Sequence, residues 1–466
     1  MAKRLAPTET LAQTIQRETG ENVFLCYQCV KCTSGCPLAE HFDLTPNQVM
    51  RSVQLNEESV LESNTIWLCA SCQTCTTRCP QGLDIAGVMD ALRIESQRRE
   101  IPAAIPEVAK FSRLFLGDIG IFGRLYEVGL MAGLNLATGQ LTKDMDMGLK
   151  MMKRRKLRLV PAFARPPKNV EPVQPADNRI AYFPGCSLHG SAAEYDHTIR
   201  AVCETVGLEL VEPPGWICCG SSPAHSTDRT LATVMPITNL ALIEQMGLDE
   251  VTAPCSACFA RLKAATHTLA HNGSLVATVK EQVGYDYQHT VTVRHLLDTL
   301  VDRVGLAVIQ SHVKKPLMGL NVASYYGCLI TRPAQLTGAE HPEYPVKLDN
   351  LMRALGAEAV DWSYKTDCCG GSLGLTQTPL ALEMTKRILE NARACGADVV
   401  TTMCPLCHVN LDARQSQLKL DFKLPILYST QLMALAFGLD EKITAFQKNL
   451  VDPRPVLAER VARFNA

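Results

Sequence analysis

The chain has 466 residues, a formal net charge of -1 and twenty cysteines. Near-neutral charge argues against nucleic acid as a main partner, and no run of eighteen or more apolar residues marks a membrane span. The basic start, Met1 to Pro7, leads into polar residues without a secretion signal, so the cysteines are expected as reduced thiolates in the cytoplasm rather than as disulfides.

In chain order, Thr8 to Gly20 reads as a helix, with Leu11 and Ile15 four apart and Gly20 as its C-cap. Then comes Cys26-x-x-Cys29-x-x-Cys32-x-x-x-Cys36-Pro37, repeated as Cys69-x-x-Cys72-x-x-Cys75-x-x-x-Cys79-Pro80. This is the bacterial ferredoxin signature, in which the fourth cysteine of each run crosses to the other cluster. One cubane [4Fe-4S] cluster is therefore expected on Cys26, Cys29, Cys32 and Cys79, and a second on Cys69, Cys72, Cys75 and Cys36. A zinc site would use isolated CxxC pairs, which two full runs do not resemble. The stripes Val49, Met50, Val53, Leu61 and Ile85, Val88, Met89, Leu92 predict core-forming helices around the runs.

Leu114 to Leu136, interrupted by Asp118, Arg124 and Glu127, reads as one or two amphipathic helices packed on the protein or a partner. No chemistry is evident between about Ile101 and Val160. The basic run Lys153 to Arg158 reads as a solvated helix end, with docking to an acidic partner as the other reading. Five prolines between Pro161 and Asp177 mark a semi-extended linker.

The second half carries one pattern twice: Cys186, Cys218-Cys219-Gly220, Cys255-x-x-Cys258, then Cys328, Cys368-Cys369-Gly370, Cys404-x-x-Cys407. A zinc ion or a cubane takes four thiolates; five in register suggest a centre with more sulfur ligation. Adjacent cysteines are poorly placed to bridge each other, which speaks against disulfides. Strands are expected at Ile180–Cys186, ending at the cysteine, and at Leu208–Val211, Val251–Ala253, Val322–Tyr326, Ala359–Trp362 and Val399–Thr402, each leading to a cysteine group, with helices at Ala193–Val206 and Leu380–Ala394. Ligands gather at that edge of a parallel sheet. Gly220, Gly370 and Gly371 are expected to turn tightly against cluster atoms. Cys203 and Cys395 read as core cysteines in helices. His189, His225 and His408 lie near motif cysteines and read first as loop contacts, second as proton donors. Lys365 and Arg332 are candidates to assist an anionic substrate.

Taken together, the chain resembles a fusion of the two iron–sulfur subunits of heterodisulfide reductase. Phe24 to Pro80 is similar to the small subunit with its two cubanes, and about Ile180 to Leu439 to the catalytic subunit with tandem CCG domains. Supporting detail lies in Tyr182–Ser187, Gly327–Pro333 and Cys404–Asp412. The resemblance implies two non-cubane [4Fe-4S] clusters on the ten cysteines of the repeated pattern, which reductively cleave or form a disulfide, with a flavoprotein electron donor as partner. The absence of a nucleotide-binding glycine fingerprint agrees with a separate donor. The expected fold is an α-helical ferredoxin domain (1–110), a helical segment and linker (111–178), and two α/β CCG modules with small parallel sheets (179–312 and 313–466). The competing readings are an electron-transfer subunit of a glycolate, lactate, glycerol-3-phosphate or succinate/fumarate-type dehydrogenase, and a scaffold docking oxidoreductases through Leu114 to Arg158. A reductase needs an open cavity between the CCG centres and a relay does not.

Overall fold

In the computed structural model, which describes residues 9–174 and 176–461, the chain before residue 179 holds helices and turns and, among the described residues, no strand. Helix α1 (Leu11–Thr19) begins at a capping box made by Thr10 and Gln13 and ends at left-handed Gly20. Thr8 and the basic start lie outside the described residues. Helices α2 (Pro46–Gln54) and α3 (Ile85–Arg98) bury the expected stripes, with Val49, Met50, Val53, Val88 and Leu92 wholly inside. Each such side chain contributes about 1.5–3 kcal/mol. Together with Leu61, which sits on a 3₁₀ turn, they form one core that also encloses Cys32.

The Leu114–Leu136 stretch forms two helices, α4 (Pro106–Phe122) and α5 (Glu127–Thr138), followed by α6 (Met145–Lys153). The proline-rich segment has no regular structure but is not loose: Ala164 N–H donates to Phe122 O at 2.8 Å and Val173 N–H to Met246 O at 2.8 Å.

The rest is two α/β modules. The first holds β1 (Arg179–Tyr182), α7 (Ala193–Thr205), β2 (Glu209–Val211), α8 (Arg229–Gln245), β3 (Glu250–Ala253), α9 (Ser256–His271) and β4 (Thr292–His295). The second holds β5 (Asn321–Tyr325), β6 (Glu358–Ala359), α10 (Thr378–Ala394), β7 (Val399–Thr402), α11 (Pro405–Ala413), β8 (Ile426–Tyr428) and α12 (Ser429–Ala436). All pairings are parallel, in the orders β2-β1-β3-β4 and β6-β5-β7-β8. The strands β4 and β8 were not expected, and β6 is shorter than the Ala359–Trp362 reading.

The modules share one apolar core, to which both sheets, α7 and α12 contribute. At its centre Tyr428 is sandwiched between Tyr195 and His408, with ring centroids 4.0 Å apart on each side. Cys203 is buried in α7 as expected. Cys395 is not a core residue: it caps the end of α10 and is exposed, because α10 stops one residue before it.

Candidate functional site

In both ferredoxin-type runs the backbone makes the same turn. Gln28 and Val30 flank Cys29 with φ of 62° and 65°, and Ser71 and Gln73 flank Cys72 with φ of 50° and 62°. Left-handed backbone at non-glycine residues costs roughly 1–2 kcal/mol each. Its repetition marks strain held at a functional loop. Four-residue helices, Lys31–Ser34 and Thr74–Thr77, then carry Cys32 and Cys75.

Cys36 stands with the second run: together with Cys69, Cys72 and Cys75 it lines a small cavity of about 20 Å³. Cys79 stands with the first. Desolvation and the nearby thiols of Cys29, Cys79 and Cys26 push the Tyr27 phenol up.

In the modules every cysteine group sits at the C-terminal edge of its sheet. Cys186 follows β1, Cys218 and Cys219 follow β2, and Cys255 and Cys258 open α9 after β3. Cys328, Cys368, Cys369, Cys404 and Cys407 repeat the placement after β5, β6 and β7. The parallel order reverses between β1 and β3, and between β5 and β7, which makes this edge a topological switch point. Cys219 Sγ lies 3.3 Å from Cys258 Sγ, and Cys369 Sγ lies 3.6 Å from Cys407 Sγ. Cys186 is within hydrogen-bond reach of Cys218, and Cys328 of Cys368. Cys258 and Cys407 lie in the first turn of their helices, where hydrogen bonding to the neighbouring thiols, Cys219 and Cys369 first, and burial push both thiols up.

One device escaped the sequence reading although it is written there twice. Gly185 and Gly327, each just before the first cysteine of its module, have φ of +74° and +68°. A Cβ on Gly185 would lie 2.7 Å from Cys258 Sγ, and one on Gly327 would lie 2.9 Å from Cys407 Sγ. In each module, therefore, only glycine lets the last thiol come back against the chain just before the first cysteine, an approach that gathers the thiols and fits a group held by five sulfurs. Gly220 and Gly370 do something else than expected. They turn the chain against the helix that follows, where a Cβ would meet Ala224 Cβ at 2.5 Å or Ala381 Cα at 3.0 Å. Among the described residues no three His, Cys, Asp or Glu side chains converge to hold a single metal ion. A polynuclear cluster instead takes its thiolates around its periphery. Gly327→Ala is expected to displace the Cys407 thiol and lower the iron content of the second module, while Gly338→Ala, also at positive φ but with nothing within 4 Å, leaves iron unchanged; iron analysis of both variants checks this.

The four thiol sets adjoin in series. Cys72 lies within hydrogen-bond reach of Cys368, and this contact is the main cause that brings its thiol down to about 6. Cys36 and Cys72 pack with Cys328 and Cys368 in one apolar cluster. Between the modules, Cys255 reaches Cys404. The order is thus the Cys26 set, the Cys69 set, the second module, then the first. Cys29 is the exposed member of the Cys26 set.

Beside these thiols, a cavity of about 180 Å³ opens between the modules. Ser187 and Ser221 border it from the first module, and Gly371, Pro405 and Leu406 from the second. Its wall also includes Phe111 and Phe115 of α4, Leu130 and Met131 of α5, and Met147 and Met151 of α6. The segment that showed no chemistry in the sequence therefore closes the cavity. Apolar packing at a distance in the chain gave no signal for this.

Glu127 and Ser191 give the cavity a polar edge, and buried charges gather near it. Glu127 accepts from Ser191 N–H at 2.9 Å and Ser191 Oγ–H at 2.7 Å. Burial pushes its carboxyl up to about 7, with the Ser191 bonds and Lys156 opposing and Glu194 adding to the rise. Lys156 forms an ion pair with Glu194 in the first turn of α7, both side chains 2% exposed. Asp412, pushed up to about 6 by burial, accepts from the N–H groups of Leu450 and Val451. Lys156 is thus no solvated helix end: it ties the α6 segment to the first module.

The remaining candidates are structural. His225 Nδ1 pairs with Asp90 at 2.7 Å, His189 Nε2 with Glu212 at 3.2 Å, and His408 Nε2 donates to Ile426 O at 3.0 Å. Lys365 is buried against Asp349 at 2.9 Å, and Arg332 is held by Thr366 and Thr74. Their cationic groups are taken up by the fold, so neither lines the cavity between the modules.

Comparison with known proteins gives the same division. Residues 25–84 match the 4Fe-4S dicluster domain family, and residues 180–263 and 322–412 the cysteine-rich domain (CCG) family. The chain is 35% identical over 278 residues to the 8-methylmenaquinol:fumarate reductase membrane anchor subunit of Wolinella succinogenes, covering 59% of this chain and 97% of that protein. It is 31% identical over 298 residues to a heterodisulfide reductase subunit-like protein of Archaeoglobus profundus, covering 61% and 98%. It is also 43% identical over 63 residues to one subunit of the ferredoxin:CoB-CoM heterodisulfide reductase of Methanosarcina acetivorans, covering 13% and 26%. Fold and thiol sets define an iron–sulfur protein with tandem cysteine-rich domains. The chain belongs to the family of heterodisulfide reductase subunits that carry these tandem domains, with a 4Fe-4S dicluster domain joined ahead of them.

Proposed function

We propose that this chain is the disulfide-active subunit of a heterodisulfide reductase-like complex, taking electrons from a flavoprotein partner and cleaving, or in reverse forming, a small disulfide. Cys26, Cys29, Cys32 and Cys79 would hold one cubane [4Fe-4S] cluster, and Cys36, Cys69, Cys72 and Cys75 the other. The five cysteines of each module would hold a non-cubane [4Fe-4S] cluster. When bound, these groups supply one-electron carriers and iron with an affinity for sulfur. The observation that carries the reading is the cavity between the modules, bordered by residues next to the motif cysteines of both. A pure relay has no use for that space.

Cleaving the S–S bond takes two electrons and two protons and yields two thiols. The partner supplies the electrons singly, and the serial order of the thiol sets gives them a path from exposed Cys29 to the cavity. Glu127, on the cavity wall and close to half protonated near neutral pH, supplies one proton to a departing thiolate and regains it from water. Only its acid form donates, so turnover is expected to fall as pH rises through about 7. Glu127→Gln is expected to flatten that limb and lower the rate at pH 6 by about 10²-fold or more, as read from a pH–rate profile.

The test is thiol release from small mixed disulfides by the full chain, with reduced viologen as donor. Two thiols per disulfide support the reading. Viologen oxidation without thiol release from any disulfide would replace it with the relay reading, which the 35% identical fumarate reductase relative favours.

A further inference from the structure

Among the described residues, nine of the twenty exposed large hydrophobic side chains fall between Ile121 and Phe163. Helix α6 is apolar on two opposite faces. Met147 and Met151 point inward and are buried, while Met145, Leu149 and Met152, at i, i+4 and i+7, face outward and are 42–52% exposed. Six residues after α6 ends, the chain presents Leu159, Val160 and Phe163, each 62–72% exposed. The Tyr126 hydroxyl donates to Leu159 O at 2.6 Å and Phe163 packs edge-on to Phe122 at 5.1 Å, so this loop is fixed in place with its side chains in water.

The same segment is basic within a neutral chain. From Pro106 to Lys168 there are twelve Lys or Arg against five Asp or Glu. Exposed Lys153, Arg155, Arg158, Arg165 and Lys168 have no carboxylate within 4 Å among the described residues. Cations alternate with protruding apolar side chains every one to three residues. Protein–protein interfaces also take arginine, methionine and phenylalanine, but their cores are depleted in charge overall and in lysine. A run of unpaired cations, Lys153 and Lys168 among them, interleaved with apolar groups suits an anionic lipid surface, with apolar groups at the acyl boundary and cations among the headgroup phosphates. Among the described residues no helix is long and apolar enough to cross a membrane.

We infer that the outer face of α6 and the loop through Phe163 form a docking surface for an anionic lipid bilayer, which the chain meets without spanning it. This inference is independent of the disulfide reading. Each basic residue near the surface contributes about fivefold to binding.

The experiment is co-sedimentation of the anaerobically purified full chain with phosphatidylcholine vesicles, with and without one quarter phosphatidylglycerol. Binding to the anionic vesicles at about 0.1 M salt, lost by about 0.5 M, and at least tenfold weaker binding to pure phosphatidylcholine are expected. Leu149→Glu with Met152→Glu changes only exposed positions and is expected to weaken binding at least tenfold with iron content unchanged. Absence of binding, or binding that ignores salt and the double variant, overturns the inference. So does light scattering that shows a dimer converted to monomer by the double variant without vesicle binding, since the face would then join two copies of the chain.

Discussion

Cys369→Ala is expected to remove about four irons per chain and abolish disulfide turnover while the 4Fe-4S dicluster domain remains reducible. Cys369 lies 3.6 Å from Cys407 Sγ, and its backbone carbonyl accepts from Asn410 Nδ2 at 2.9 Å, so its position is fixed from two sides. Its removal leaves four thiols in the module, Cys368, Cys404 and Cys407 buried and Cys328 half-buried, one short of the five the proposed cluster takes. Cys395→Ala is the control: that thiol is exposed at the end of α10 and belongs to no motif, and its loss leaves iron and rate unchanged. Iron analysis with thiol release on both variants checks the contrast. Equal loss in the two would remove the distinction between ligand and bystander.

The second large effect concerns stability. Lys156→Met is expected to cost about 3–5 kcal/mol, because it leaves Glu194 charged and unpaired in the interior. Glu194 Oε2 already has no hydrogen-bond partner, and the other cation that feels this carboxylate, Lys448, donates to Arg155 O instead. Adding Glu194→Gln to Lys156→Met should recover most of that cost, since a buried pair replaced as a whole is near neutral. Anaerobic denaturant titration of the single and double variants measures it. Lys156 also holds the Glu127 carboxyl down, so its loss moves the alkaline limb of the pH–rate profile upward. A stability loss unrelieved by the double variant would show that Lys156 acts through packing alone.

Much of this was legible in the residues because a repeated thiol pattern is a repeated geometry. The crossing of Cys36 and Cys79, the strand before each cysteine group and the stripes of α2 and α3 follow from spacing and period. The edge strands β4 and β8 did not, because Thr292–His295 carries Arg294 in the middle and Ile426–Tyr428 is only three residues long. The left-handed turns at Gln28, Val30, Ser71 and Gln73 left no mark, since none is glycine. Gly185 and Gly327 did leave one, a glycine before the first cysteine in each copy, whose reason appears only when Cys258 and Cys407 come back against them. The apolar stretch of α4 and α5 announced helices, but the cavity they close is set by packing across the whole chain.

The central claim is that each module holds a cluster open to a thiol or disulfide. Iron and labile sulfide analysis of the anaerobically purified full chain, followed by EPR after oxidation in the presence of a thiol, tests it most directly. About sixteen irons per chain and a paramagnetic signal that appears only with the thiol are the predicted result. About eight irons and spectra indifferent to every thiol would contradict it.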